Sequence, residues 1–490
     1  MNHSDRSRIS FRGTAPLYGR RQAMAALLAG AGVLCGQAAK RKPCNVLFLV
    51  SDDMNTALSL YGDPVVRTPQ LERLARRGLV FDRAYCQYPL CQPSRTSFLS
   101  GLRPETTRVW TLTTPTRQHI GEAVMLPELF RKNGYFTGHA GKIYHTDVGE
   151  DPQSWDREIR DYGKTPEADQ VLRSDHSPGP QGHSFAWDVL KTPDEQMPDG
   201  VFARKSVEWL EEMASAGKPF FLATGFRRPH APYAAPQKYF DLYPPDCMPL
   251  PRTGAEDWRR LIPAAINHLP PDVPLSEKIV REHLAAYHAC TTFMDAQLGL
   301  LLDAMDRLSL WENTVVVFCG DNGYLLGEHG GLWHKTSLFE QGAHVPLIVS
   351  APGMKAAGRR SRRLVELVDL YPTLAELCGL AAPANLEGTS LGPLLNEPAR
   401  PWKRGAFTMQ GRSKEIGEKA KTIDFFGRSV RTEEYRYNEW DGGKLGIELY
   451  DHRSDPWERK NLSGDRRLAR VQSELQQLLR DGWKAARPPS

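Results

Sequence analysis

The chain has 490 residues, 40% hydrophobic and 25% charged, which allows a large core and matches the composition of an ordinary globular protein. Its formal charge of +5 rests on 63 basic against 58 acidic residues, a balance that excludes a general polybasic attraction to nucleic acid. Any anion site must therefore be a local cluster.

Residues 1–39 read as a signal peptide. Arg20 and Arg21 precede the apolar run Ala23–Gly36, and small residues follow; the run is too short to cross a bilayer. The adjacent arginines suit the twin-arginine route. Leu34 stands where a lipobox needs a small residue before Cys35, which argues against lipidation. Without this segment 58 basic residues face 57 acidic ones. The reading is an exported protein, periplasmic or secreted, with no membrane attachment after signal removal.

The run "NVLFLVS" (45–51) is continuously apolar and β-prone, as in a buried parallel strand, and ends at Asp52 and Asp53. Thr68 and Pro69 open a helix as N-cap and first-turn proline, and Gly78 stops it. A helix near 126–133 precedes an extended run near 135–140, and a helix near 200–215 precedes "PFFLATGF" (219–226). A long helix from about 276 to 308 precedes "TVVVFCGDNG" (314–323); "VPLIVSAPG" (345–353) is a strand with its turn, followed by a helix around 369–378. This alternation predicts an α/β catalytic domain over 40–400, with a mostly parallel central sheet flanked by helices. Residues 147–198 and 241–275, rich in Pro, Asp and Gly, read as long excursions. From 401 to 490 the pattern changes to antiparallel strands in "RSVRTEEYRYNEW" and "KLGIELYDHRSDPWERKNL", then an amphipathic helix over about 465–484. That predicts a small C-terminal α+β subdomain.

Polar groups gather where the predicted strands end, the usual place for sites in open α/β sheets. Asp52 and Asp53 close the first strand; Asp321 and Asn322 close "VVVFCG". Either pair alone is more often just a polar loop. Brought to one sheet edge, they form a hard oxygen donor set for Ca2+ or Mg2+. The cations follow the same pattern: Lys142 and His145 in "GKIYH", Arg227, Arg228 and His230 in "GFRRPH", and Lys335 in "GLWHK". Cations beside a divalent ion suit a tetrahedral anionic ester, sulfate or phosphate.

Seven cysteines follow the signal segment: Cys44, Cys86, Cys91, Cys247, Cys290, Cys319 and Cys378. Their spacing fits neither a zinc site nor a dense disulfide scaffold, and it assigns no pairing. Cys44 and Cys319 fall in apolar strand-like runs and read as buried, inert thiols. Cys91, in "YPLCQPSRTSFLSG", is different. As a plain thiol it is a soft ligand, poorly matched to a hard oxygen site. A thiolate beside Arg95 and a helix N-terminus is conceivable, but no thiol-protease or phosphatase signature surrounds it.

The segment "CQPSR" followed by "SFLSGLRP" resembles the signature of the type I, formylglycine-dependent sulfatases. The segments "SDDMN", "GKIYH", "RRPH", "GDNG", "GEHG…HK" and "ELYDHRSDPWERKNL" occur in that family's order, from about residue 44 to 465. The resemblance implies an alkaline-phosphatase-like fold and hydrolysis of a sulfated saccharide. It implies that Cys91 is oxidised to formylglycine by a formylglycine-generating enzyme, and that the hydrated aldehyde attacks sulfur. It further implies that Cys91, Asp52, Asp53, Asp321 and Asn322 bind Ca2+, with Mg2+ as the alternative. Arg95 and Lys142 would hold the formylglycine oxygens, and His145 would be the base that releases sulfate. Lys335 and His230 would grip the sulfate, one of them protonating the leaving alcohol.

Within the family, "RTPQLERLARRGLVFDRAYCQYPLCQPSRTSFLSGLRPETTR", "VPLIV" and "SVRTEEYRY" are most similar to the branch acting on iduronate 2-sulfate. The chain departs from that branch at Asn322, where the branch has His, and in one extra residue before Lys335. Arg227, Arg228, Tyr324, Trp333 and His334 are candidates for a subsite around an acidic sugar, set against simple packing. A phosphodiesterase or phosphonate monoester hydrolase with the same metal site, and a non-catalytic sulfated-glycan binding protein, are the competing readings.

Overall fold

A computed structural model describes residues 44–145, 149–160, 170–176, 185–251, 257–266, 275–413 and 421–489; the signal segment expected at 1–39 lies outside them. Every residue of strand β1 (Asn45–Ser51) is buried. Side chains alternate across a strand, so Val46, Phe48 and Val50 enter one apolar cluster while Leu47 and Leu49 enter another. Both faces are covered, which explains why the run shows no polar alternation.

Eight further strands complete the sheet: β2 (Leu79–Tyr85), β3 (Phe136–Gly141), β4 (Arg157–Arg160), β5 (Phe220–Phe226), β6 (Thr314–Gly320), β7 (His344–Val345), β8 (Leu347–Ser350) and β9 (Arg359–Glu366). The order is β7-β2-β8-β6-β1-β5-β3-β4, with β9 paired alongside β2. Strands β6, β1, β5, β3 and β4 are parallel neighbours. Strand β8 is antiparallel to both β6 and β2, so β2 points the same way as the parallel set. The carboxyl ends of β2, β6, β1, β5 and β3 therefore open at one edge.

The helices are α1 (Pro69–Arg77), α2 (Cys91–Ser100), α3 (Leu126–Lys132), α4 (Pro198–Ala216), α5 (Glu277–Arg307) and α6 (Leu370–Leu377). Helix α1 begins with Pro69 and ends at Gly78 as the sequence predicts, but the Thr68 side chain does not cap it. The first-turn amides of Gln70 and Leu71 instead donate to the Asp295 carboxylate of α5 at 2.9 and 2.8 Å. Helix α2 has all ten residues buried. It ends at Gly101, where φ is 69° and a Cβ would stand 2.6 Å from Leu386, so a glycine is required there. Part of the expected excursion 147–198 is ordered as β4 and as the short strands Val171–Asp175 and Trp187–Leu190, which build a small separate sheet with Tyr233–Pro236.

Beyond residue 400 an antiparallel meander follows: β10 (Ala406–Arg412), β11 (Phe425–Arg431), β12 (Tyr435–Trp440) and β13 (Gly446–Asp451). Helix α7 (Ala469–Asp481) packs Leu475, Leu478 and Leu479 onto Val430, Tyr437 and Leu449. A buried charge network joins this layer to the large sheet. Arg103 grips Glu366 through both terminal nitrogens at 2.8 and 2.7 Å, and Lys403 reaches Glu366 at 2.7 Å and Asp369 at 2.6 Å. The Phe407 amide donates to Glu366 at 2.9 Å. Among the described residues no helix is long and apolar enough to cross a membrane.

Candidate active site

Four adjacent parallel strands and β2 deliver the predicted polar residues to one place. Asp52 and Asp53 follow β1, Lys142 and His145 follow β3, His230 follows β5, and Asp321 and Asn322 follow β6. The chain leaving β2 enters α2 with Cys91 as its first helical residue. One oxygen from each of Asp52, Asp53 and Asp321 lies within 4.8 Å of the others, all three buried. The Cys91 sulfur is 3.2 Å from Asp52 Oδ1, and Lys335 Nζ is 2.9 Å from that sulfur and 2.6 Å from Asp53 Oδ1. Arg95, one helical turn along from Cys91, donates Nε to Asp321 at 2.8 Å and Nη2 to Asp52 at 3.2 Å. Lys142 Nζ donates to the other oxygen of Asp52, and its carbonyl accepts from Arg95. Three buried carboxylates are thus matched by three cations.

The electrostatics sort these groups. Burial alone would raise the Asp52 carboxyl, but Lys142, His230 and Arg95 hold it well below the usual range. Burial pushes Asp321 up to about 7, and a divalent cation would favour its ionised form. Burial and then Asp52 push the Cys91 thiol well above its ordinary value. That direction runs against a thiolate at the helix N-terminus.

The donor set fits a hard divalent cation. Three carboxylates converge, and Asn322 Oδ1 is buried with no hydrogen-bond partner while its Nδ2 is engaged by Asp53 at 2.9 Å and Gly323 O at 3.0 Å. An orphaned amide oxygen beside carboxylates is the atom type that Ca2+ or Mg2+ takes. A sulfur at position 91 is the one mismatched donor.

The two histidines are neutral. Burial and Lys142 push both His145 and His230 well below the ordinary imidazole range. Both ring nitrogens of His145 are buried without a hydrogen-bond partner. His230 Nδ1 faces the Ala231 carbonyl, which assigns the proton to Nδ1. Its Nε2 lies 3.6 Å from Asp53 and 3.9 Å from Asp52.

Supporting residues complete the geometry. Arg228 is buried and donates to the His230 carbonyl at 2.8 Å, while Asp199 accepts from the Arg227 and Arg228 amides at 2.8 and 3.0 Å. Tyr324 and Trp333 are buried, not exposed as a sugar subsite would be: Trp333 donates to Tyr233 at 3.0 Å, Tyr233 donates to Tyr324 at 3.0 Å, and Tyr324 meets His334 at 2.8 Å. Of the five subsite candidates, Arg228, Tyr324, Trp333 and His334 are buried and Arg227 is half-buried. Tyr287 is a support that the sequence does not signal. Its hydroxyl donates to the Asp53 carbonyl at 2.8 Å and accepts from the Asn55 amide at 3.0 Å.

A mostly parallel sheet between helical layers, with carboxylates and cations collected at its strand ends, is the alkaline-phosphatase-like fold. The chain belongs to the sulfatase family: residues 44–380 match the family described as Sulfatase, and 327–484 match N-sulphoglucosamine sulphohydrolase, C-terminal. It is accordingly a sulfuric ester hydrolase. Iduronate 2-sulfatase of Homo sapiens is 32% identical, the match covering 86% of this chain and 91% of that one. A sulfatase of Formosa agariphila is 33% identical, over 89% and 86% of the two chains. In three dimensions the phosphonate monoester hydrolase of Agrobacterium radiobacter aligns with a TM-score of 0.76 at 22% identity, covering 90% of this chain and 96% of that one.

Proposed function

We propose that the protein is an exported sulfatase that removes sulfate from saccharides, with a uronate 2-sulfate as its substrate. The observation that carries this is the convergence on residue 91: three buried carboxylates, the orphaned Asn322 oxygen and the ammonium groups of Lys142 and Lys335 around the first residue of α2. The likeness to iduronate 2-sulfatase supports the 2-sulfate. Residues 40–400 form the catalytic domain and 401–490 a subdomain that braces it.

Position 91 is assigned as formylglycine, made by a formylglycine-generating enzyme, and Asp52, Asp53, Asp321 and Asn322 would hold Ca2+, or Mg2+, together with it. The hydrated aldehyde would supply an oxygen nucleophile, and the cation would draw charge from a sulfate oxygen. Arg95, bonded to Asp52 and Asp321, fixes the carboxylates on either side of position 91. Lys142 and Lys335 face the oxygens at that position and the sulfate, where negative charge develops. Lys335 keeps its proton in the resting protein, since Asp53 holds its ammonium well above the ordinary value against the effect of burial. The leaving alcohol takes its proton from Lys335, because neutral His230 keeps its one proton on Nδ1 toward the Ala231 carbonyl and is left to position the sulfate. His145, neutral and with unpartnered ring nitrogens, is the acceptor for the proton lost when sulfate is released.

The test begins with the tryptic peptide 84–95 from protein co-expressed with a formylglycine-generating enzyme. Its mass should show the aldehyde, and the enzyme should release sulfate from an unsaturated uronate 2-sulfate disaccharide. Full turnover by Cys91→Ala, or by protein whose residue 91 is still a thiol, would sink the mechanism. The fold likeness to a phosphonate monoester hydrolase gives the second reading its footing. Faster turnover of an aryl phosphonate than of the matching aryl sulfate would favour it.

A further inference from the structure

Cys44 does not behave as its sequence setting predicts. It lies immediately before β1, is only partly buried, and packs against the edge of the core cluster on one face of the sheet. The same is true of Cys378, the residue that ends α6. The Cys378 sulfur lies 3.3 Å from the Cys44 carbonyl oxygen, which sets the two residues side by side. The other described cysteines are placed differently: Cys86, Cys290 and Cys319 are buried in the core, Cys91 is buried in the site, and Cys247 is exposed on the turn Pro245–Cys247.

We propose that Cys44 and Cys378 are joined by a disulfide in the mature protein. Each thiol gives up its proton, one S–S bond forms, and the two electrons pass to the disulfide of a thiol–disulfide oxidoreductase or of oxidised glutathione, which becomes two thiols. Both residues are only partly buried, unlike the core cysteines, which leaves them open to an exchanging disulfide. The crosslink has a structural reason. Strand β1 lies in the middle of the sheet and carries Asp52 and Asp53 at its far end, yet Cys44 stands only five residues beyond the expected signal segment. A chain terminus so close to a central strand frays unless tied down. Bonding Cys44 to the end of α6 anchors that terminus and closes a loop containing every residue of the site, which restricts the unfolded chain.

The test uses the full chain, purified and incubated with oxidised glutathione, then alkylated without reduction and digested with trypsin. Peptides 42–67 and 364–403 each hold one of the two cysteines and should appear as one crosslinked species that dithiothreitol splits. Oxidation should raise Tm by a few degrees, and Cys44→Ser, Cys378→Ser and the double variant should all lose that same rise, with sulfate-ester turnover at 25 °C unchanged. Two separately alkylated or singly glutathionylated peptides from folded protein would overturn the proposal. So would an oxidation-dependent Tm rise that persists in the double variant. Neither outcome touches the formylglycine reading, which peptide 84–95 tests separately.

Discussion

Asp53 adopts φ of 58°, a left-handed backbone that a non-glycine residue takes at a cost. That turn sends its carboxylate toward Lys335 and Asn322 while its carbonyl meets Tyr287. Tyr287→Phe strips the donor from Asp53 O and the acceptor from Asn55 N. Calcium binding measured by calorimetry should weaken roughly 10- to 100-fold, as for other outer supports of a metal site, with a stability loss of about 1–3 kcal/mol. Unchanged calcium affinity would remove Tyr287 from the supports of the site. Legibility divides sharply at this scale. Asp52, Asp53, Asp321 and Asn322 stand out because polar groups directly after apolar strands are conspicuous in a sequence. Tyr287 does not, because it sits inside a long helix among apolar residues and its role depends on a loop more than two hundred positions away.

At the level of elements, the apolar runs and the glycine and proline stops mark β1, β3, β5, β6, β8 and the long helices within a few residues. Strands β2 and β9 are missed because "LVFDRAY" and "RRSRRLVE" carry charges through an otherwise β-prone run; β2 is selected by pairing with β8 and β9, and β9 by pairing with β2. Helix α1 shows the same limit. Its start is readable from Thr68-Pro69, but its capping group, Asp295, comes from α5. Asp295→Ala should cost about 1–2 kcal/mol in urea unfolding, whereas Thr68→Ala, which removes no cap bond, should cost less. A larger loss for Thr68 would contradict the observed cap.

For the whole molecule, the Arg103–Glu366–Lys403–Asp369 network ties the loop after α2, the end of β9 and the first strand of the C-terminal layer together. Burial opposes the charge on Glu366, but Arg103 and Lys403 bring its carboxyl down to about 2 from 4.5. A depressed carboxyl contributes stability that is present above pH 4.5 and lost as the pH falls toward 2. Equilibrium unfolding should therefore show stability declining across that window, and Glu366→Gln should be less stable at pH 7 with a shallower acid slope. An identical slope in the variant would exclude Glu366 as a contributor. The parallel order of the large sheet follows from its alternating elements, but this junction could not be read from sequence, since its four members are scattered from residue 103 to 403. The burial of α2 has one more consequence. All ten of its residues are inaccessible, and Cys91 is 0% exposed. An enzyme that modifies residue 91 has to grip the peptide on both sides of it, and α2 buries that whole segment, so covalent maturation at position 91 is expected to precede folding. That sets the sequence of events in the protein's biogenesis, and a chain that folds first is committed to remain a thiol.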